Sequence, residues 1–194
     1  MKRVGILGGT YNPPHIGHLI IANEVKHAFA LDEVRFMPNA LPPHKAADKQ
    51  VTKEQRLEMV NLAIQGIEGF TASSYEIERG GVSYSFDTMS ALMTQDPDVE
   101  YFLIIGGDMI DSLHTWHRID ELVELVTIVG VGRPGWKSET DYPVEIIAIP
   151  EIDISSTLLR KRFHENGTVT FLTPPAVESF IREEGLYGTG AYKK

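Results

Sequence analysis

His15 and His18 follow closely on Gly8-Gly9-Thr10 and Pro13-Pro14, and together these residues offer the groups an anion site needs. Spaced three apart, the two imidazoles fall on one helical face and can address the same anion from a helix start. Gly8 and Gly9, lacking Cβ, suit close backbone approach to a phosphate and a positive φ, and Thr10 adds a hydroxyl. Pro13 and Pro14 stiffen the exit from the loop and donate no hydrogen bonds. A zinc site would require at least a third protein ligand, so no resident metal is assigned. A second constellation lies far along the chain. Ser155, Ser156 and Thr157 read as the cap and first turn of a helix, with Arg160 one turn beyond Ser156 on the same face. Hydroxyls, first-turn amides and a guanidinium fork are suited to gripping polyphosphate oxygens.

Other residues carry a structural and a chemical reading side by side. Lys45, in Ala40-Leu41-Pro42-Pro43-His44-Lys45, belongs to a solvated connector or brings a point charge to a phosphate. Asp108, after Gly106-Gly107, is a helix N-cap, or a carboxylate for a ribose hydroxyl or a Mg-bound water, or both. The loop Arg79–Thr88 opens a helix with Ser83 or Ser85 near its N-cap, and such a start offers amides to a carboxylate. Trp116 is a core or interface aromatic. Gly130-Val131-Gly132-Arg133-Pro134-Gly135 spells a dinucleotide fingerprint, but Pro134 and the polar run behind it read as loop where a helix is required. That motif is rejected, while Arg133 stays a candidate for the nucleotide edge.

The elements that must position these groups alternate along the chain. Strands are expected over Val4–Leu7, Glu33–Met37, Thr71–Ile77, Tyr101–Ile105, Thr127–Val131 and Glu145–Ile149, with apolar-periodic helices between them. Tyr101–Ile105 is a near-continuous apolar run, the mark of a central strand buried on both faces. Thr52-Lys53-Glu54-Gln55 is a capping box whose helix is assigned to packing alone. The order implies a Rossmann-like α/β fold, a doubly wound parallel sheet with helices on both faces. The expected organisation is a single domain over 1–187, its C-terminal helical part about 155–187, and a mobile tail over 188–194.

The 194 residues suffice for one substantial core, and 42% apolar with 23% charged residues is ordinary for a soluble globular protein. Cysteine is absent, so disulfides and thiolate metal sites are excluded, and no apolar run approaches a membrane span. No signal peptide is read in the first residues, and the expected location is the cytoplasm. A formal net charge of -9 argues against a nucleic-acid surface. An acidic protein that binds an anionic nucleotide must gather its cations locally, which gives Lys45, Arg133 and Arg160 their weight.

Gly8-Gly9-Thr10-Tyr11-Asn12-Pro13-Pro14-His15-Ile16-Gly17-His18 resembles the first motif of the nucleotidylyltransferase superfamily, and Ile154-Ser155-Ser156-Thr157-Leu158-Leu159-Arg160 resembles its second. The resemblance covers nearly the whole chain. Asn39 with Pro42-Pro43-His44-Lys45, the stretch Ser83-Tyr84-Ser85-Phe86-Asp87-Thr88, and Thr115-Trp116-His117 are similar to the nicotinate mononucleotide branch, with Ser85 standing for the usual threonine. The resemblance implies transfer of AMP from ATP to nicotinate mononucleotide, giving deamido-NAD and pyrophosphate, with Mg2+ carried by ATP. It implies ATP contacts from Gly8, Gly9, Thr10, Gly106, Asp108, Arg133, Ser156 and Thr157. Catalytic roles fall to His15, His18, Lys45 and Arg160, and acceptor contacts to Asn39, Lys45, Tyr84, Ser85 and Trp116. Another acceptor within the superfamily, or a nucleotide sensor without turnover, are the alternatives, and a homo-oligomer is compatible with either.

Overall fold

Tyr101–Ile105 is buried throughout, and the remaining strands are laid out on either side of it. The computed structural model describes residues 1–41, 51–132, 140–150 and 152–189. In chain order its strands are β1 (Lys2–Gly9), β2 (Glu33–Pro38), β3 (Phe70–Ala72), β4 (Val99–Gly106), β5 (Thr127–Gly132) and β6 (Val144–Ala148). They form a six-stranded sheet in the order β3-β2-β1-β4-β5-β6, every pairing parallel. That is the doubly wound order, whose connections reverse direction between β1 and β4. The helices are α1 (Ile16–Ala28), α2 (Lys53–Ile64), α3 (Tyr75–Arg79), α4 (Ser85–Gln95), α5 (Gly107–Ile110), α6 (Ile119–Leu125), α7 (Ser156–His164) and α8 (Pro175–Glu183). Among the described residues no helix is long and apolar enough to cross a membrane.

Alternation along each strand divides the core into two layers. Phe102 and Ile104 of β4, with Leu7 of β1, pack with Ala22 and Val25 of α1, Met59 and Val60 of α2, Leu159 and Phe163 of α7, and Val177 and Ile181 of α8. Tyr101, Leu103 and Ile105, with Val4 and Ile6, pack instead with Phe86 and Met89 of α4, Ile110 of α5 and Leu122 of α6. The expected capping box forms: Gln55 N–H donates to Thr52 Oγ1 at 3.1 Å and Thr52 N–H to Gln55 Oε1 at 3.0 Å.

Several expectations are corrected. The strand placed over Thr71–Ile77 is only Phe70–Ala72, because Ser73 and Ser74 start α3: Ser74 Oγ donates to Glu78 Oε1 at 2.5 Å, and Tyr75 N–H to Ser73 Oγ at 3.4 Å. Gly8 and Gly9 keep strand conformation rather than positive φ, since β1 runs through both. In keeping with the rejection of the dinucleotide fingerprint, Gly130 lies inside β5, where an added Cβ would sit 2.4 Å from Ile110 Cδ1, so it lets α5 pack on the sheet. Gly188 and Thr189 still belong to the fold, with Thr189 Oγ1 donating to Ile181 O at 3.2 Å, and residues 190–194 lie outside the described ones.

At the opposite end of the sheet from the glycine turns, Glu33 begins β2 almost wholly buried. Burial raises its pKa, but hydrogen bonds from Arg35, Lys2 and Thr71 outweigh that and hold the carboxyl at about 2, from an ordinary 4.5. A carboxyl whose folded pKa is depressed contributes stability above its unfolded pKa and loses it as pH falls through the folded one. Glu33→Gln should therefore destabilise by about 1–3 kcal/mol at pH 7 in chemical denaturation. The gap from wild type should narrow as pH is lowered from 4.5 toward 2; equal stability at pH 7 would refute the network's role.

Candidate active site

The carboxyl ends of β1 and β4, where the connections reverse, are where a doubly wound sheet leaves room for a ligand. β1 ends in Gly8-Gly9 and then turns sharply. Tyr11 takes φ 50 and folds its ring back, so that its hydroxyl donates to Leu7 O at 2.5 Å. A Cβ on Gly9 would stand 3.1 Å from that ring, whereas at Gly8 nothing lies within 4 Å and the strand end stays open to a ligand.

On either side of Tyr11, backbone carbonyls are captured by side chains from elsewhere in the chain. Arg56 Nη1 donates to Thr10 O at 2.8 Å, Arg160 Nη1 to Asn12 O at 2.8 Å, Ser156 Oγ to Pro13 O at 2.8 Å and Thr173 Oγ1 to Pro14 O at 2.9 Å. Tyr187 adds a hydrogen bond to Asn12 Oδ1 at 2.5 Å. The two guanidinium bonds are charge-assisted and contribute roughly 1.5–3 kcal/mol each, the neutral hydroxyl bonds roughly 0.5–1.5 kcal/mol, so the turn is held from both sides.

The turn delivers His15 in extended conformation as the N-cap of α1. Its N–H donates to His18 Nδ1 at 3.1 Å, and the two rings lie 3.7 Å apart, with Tyr11 4.9 Å beyond His18. Gly17 permits this: a Cβ there would sit 2.9 Å from His15 Nδ1. Burial lowers the His15 pKa from 6.5 to about 4. Burial, then the neighbouring His15, lowers that of His18 from 6.5 to about 3. Both are neutral at pH 7. Because His18 Nδ1 accepts, its proton resides on Nε2. His15 Nδ1 is buried with no hydrogen-bond partner among the described residues.

A cleft of about 810 Å³ opens here, lined by Thr10, His15, His18, Asn39, Asp108, Ser156, Thr157 and Arg160 among others. Of the residues singled out in the sequence, these converge, with Gly8, Gly9 and Gly106 at the strand ends. Ser155 caps α7, accepting from Leu158 N–H at 3.2 Å, and Ser156 and Thr157 begin its first turn. Gly106 is the N-cap of α5, correcting the capping role considered for Asp108; the Asp108 carboxylate folds back, its Oδ1 only 2.7 Å from where a Gly106 Cβ would be. Tyr84, Ser85 and Trp116 are not on the cleft lining. Tyr84 is the N-cap of α4, without a side-chain cap from Ser83 or Ser85, and its ring lies 4.7 Å from that of His117; Trp116 packs half-buried on the second core layer. Lys45 and Arg133 lie outside the described residues.

Arg56, with Thr52 and Lys53, also lines the cleft and was missed by a reading that gave α2 to packing alone. Arg56 is 6% exposed and reaches Asn39 O at 2.6 Å as well as Thr10 O, tying the ends of β1 and β2 together. The signal was available: a charged residue stands on the buried stripe of α2, one turn before Val60. Among the described residues, no group of three or more His, Asp or Glu side chains could hold a metal ion.

Residues 6–162 match the cytidylyltransferase-like family. A protein of Geobacillus thermodenitrificans (strain NG80-2) is 48% identical over 188 residues, covering 97% of this chain and 87% of its own. One of Lactiplantibacillus plantarum (strain ATCC BAA-793 / NCIMB 8826 / WCFS1) is 51% identical over 186 residues, covering 96% and 88%. Both are named "probable nicotinate-nucleotide adenylyltransferase". Among solved structures, Plasmodium falciparum nicotinic acid mononucleotide adenylyltransferase complexed with NaAD superposes with a TM-score of 0.78 at 16% identity, over 96% of this chain and 98% of that one. The same enzyme complexed with APC gives 0.80 at 17% identity, over 96% and 98%, and both likenesses speak for the fold. A doubly wound sheet with paired histidines and a serine-rich helix start facing one cleft, matched along nearly its full length by these relatives, places the chain in the cytidylyltransferase-like family, among the nicotinate-nucleotide adenylyltransferases.

Proposed function

We propose that this chain transfers AMP from ATP to nicotinate mononucleotide, with the cleft between α1 and α7 holding the triphosphate. The observation that carries the reading is the meeting of the two distant motifs: Arg160 donates to Asn12 O while His15, His18, Ser156, Thr157 and Arg160 all face one cleft. An oxygen of the mononucleotide phosphate attacks the α-phosphorus of ATP, the bond from that phosphorus to the bridging oxygen breaks, and pyrophosphate departs with the electron pair. The nucleophile is already anionic, so alignment and charge stabilisation are what the site must supply.

The neutral imidazoles act as N–H donors. His18 Nε2–H, its tautomer set by the His15 backbone, is aimed before substrate arrives and needs no reorganisation as charge develops on the α-phosphate. Ser156, Thr157 and Arg160 receive the leaving pyrophosphate, aided by the amides that begin α7. Lys53, Arg56 and Arg160 supply positive charge to the cleft of an otherwise acidic protein. The donor set suits a divalent ion that enters on ATP: Asp108 is a carboxylate on the cleft, and Mg2+ characteristically keeps waters and substrate phosphates as ligands beside one or two carboxylates. When bound, the ion offsets phosphate charge. Asn39, at the cleft, leads toward Tyr84, Ser85 and Trp116, which we assign to the acceptor. Lys45 is assigned to the mononucleotide phosphate and Arg133 to the nucleotide edge of ATP, as the resemblance implies.

His18→Ala should lower kcat by a factor on the order of a hundred or more in a pyrophosphate-release assay with ATP and nicotinate mononucleotide. Turnover near that of wild type would overturn the role. In the free enzyme, NMR should find no titration of His15 or His18 between pH 8 and about pH 5, given folded pKa values of about 4 and 3. Because the unfolded chain takes up these protons near 6.5 and the folded one does not, the pair should cost stability as pH falls below 6.5. A titration midpoint for His18 at or above 6.5 would contradict the neutral-donor role.

A further inference from the structure

Glu76, in α3, is a carboxylate that the cleft chemistry does not use, yet it is 8% exposed. A carboxyl is costly to bury without hydrogen bonds. This one has them: Thr88 Oγ1 donates to Glu76 Oε1 at 2.7 Å, and the Ser83 side chain is hydrogen-bonded to it as well. Both donors are themselves buried. Thr88 belongs to the first turn of α4, its N–H donating to Tyr84 O at 3.1 Å, and Ser83 immediately precedes Tyr84 and Ser85.

Ser83 connects onward to the cleft. Its Oγ accepts from Ala40 N–H at 3.2 Å, its own N–H donates to Leu41 O at 3.0 Å, and Leu41 pairs with Val82 as an isolated bridge. Ala40 and Leu41 line the cleft, directly after Asn39, which Arg56 grips. A serine hydroxyl has a single proton; with it donated in the hydrogen bond to the Glu76 carboxylate, the lone pairs of Ser83 Oγ are left to accept from Ala40 N–H. Glu76 thereby joins the start of α4 to the rim of the nucleotide cleft.

We infer, taking the proposed transfer to nicotinate mononucleotide as given, that Glu76 is a positioning residue which, through Ser83, sets the acceptor-side segment 83–88 at a fixed spacing from the cleft rim 39–41. The hydrogen bonds that orient His18 and Arg160, to the His15 N–H and to Asn12 O, involve neither Glu76 nor Ser83. Loss of the link therefore acts on the acceptor and spares ATP.

Glu76→Gln keeps the side chain's size but removes its charge and turns one of its two acceptor oxygens into a donor, which weakens its hold on Thr88 and Ser83. The variant should raise the KM for nicotinate mononucleotide by about 5–20-fold while the KM for ATP stays within about twofold. Ser83→Ala should give the same split, and the double variant should be no worse than the more impaired single one, since both remove the same link. Circular dichroism and thermal melting establish that the variants are folded, and Ser83→Ala provides the reading if Glu76→Gln is not. An unchanged KM for nicotinate mononucleotide in a folded variant, equal rises in both KM values, or additive losses in the double variant would overturn the role. Absence of wild-type turnover with nicotinate mononucleotide would instead count against the proposed reaction. Glu76 would then be judged by the same split with whichever acceptor supports pyrophosphate release.

Discussion

The structure depends on the capture of one turn's carbonyl groups. A chain leaving a central strand into Tyr11-Asn12-Pro13-Pro14 has backbone oxygens that neither helix nor sheet can satisfy, and buried carbonyls left unpaired are costly. Arg160 and Ser156 of α7 and Thr173 satisfy those of Asn12, Pro13 and Pro14, and Arg56 of α2 satisfies that of Thr10 just before them. Because those donors sit on α2, on α7 and ahead of α8, the turn is fixed only once the helices on that face of the sheet have docked. The His15–His18 pair inherits its geometry from that docking. The C-terminal segment, through Tyr187 and Thr173, is as much a part of the site as the turn itself.

This arrangement reconciles an acidic protein with an anionic substrate. Burial keeps both imidazoles uncharged, so they offer directed N–H groups, while among the described residues formal positive charge on the cleft comes from Lys53, Arg56 and Arg160. Arg56 and Arg160 are bonded to the backbone of the very turn they flank, which limits how far either guanidinium can stray. Preorganised donors of this sort stabilise developing charge without rearrangement during the reaction.

Much of this was legible in the sequence because it rested on local signals. The apolar run Tyr101–Ile105 marked the central strand, Thr52 and Gln55 marked a helix start, and the spacing of His15 and His18 put them on one face. What escaped was long-range or backbone-mediated. Nothing near Arg56 says that its partners are the carbonyls of Thr10 and Asn39, and only its place on an apolar stripe distinguishes it. Glu76 was hidden because Ser73 and Ser74 read as strand when they begin a helix. The glycines have a further reason that only three dimensions show: Gly9 and Gly17 make room for the rings of Tyr11 and His15.

The most direct test is a crystal structure of the protein with a non-hydrolysable ATP analogue. The account predicts phosphate oxygens within hydrogen-bonding distance of His18 Nε2 on one side and of Arg160 or the start of α7 on the other, with Arg160 still donating to Asn12 O. Phosphates bound outside this cleft, or inside it with His18 Nε2 turned away from them, would contradict it.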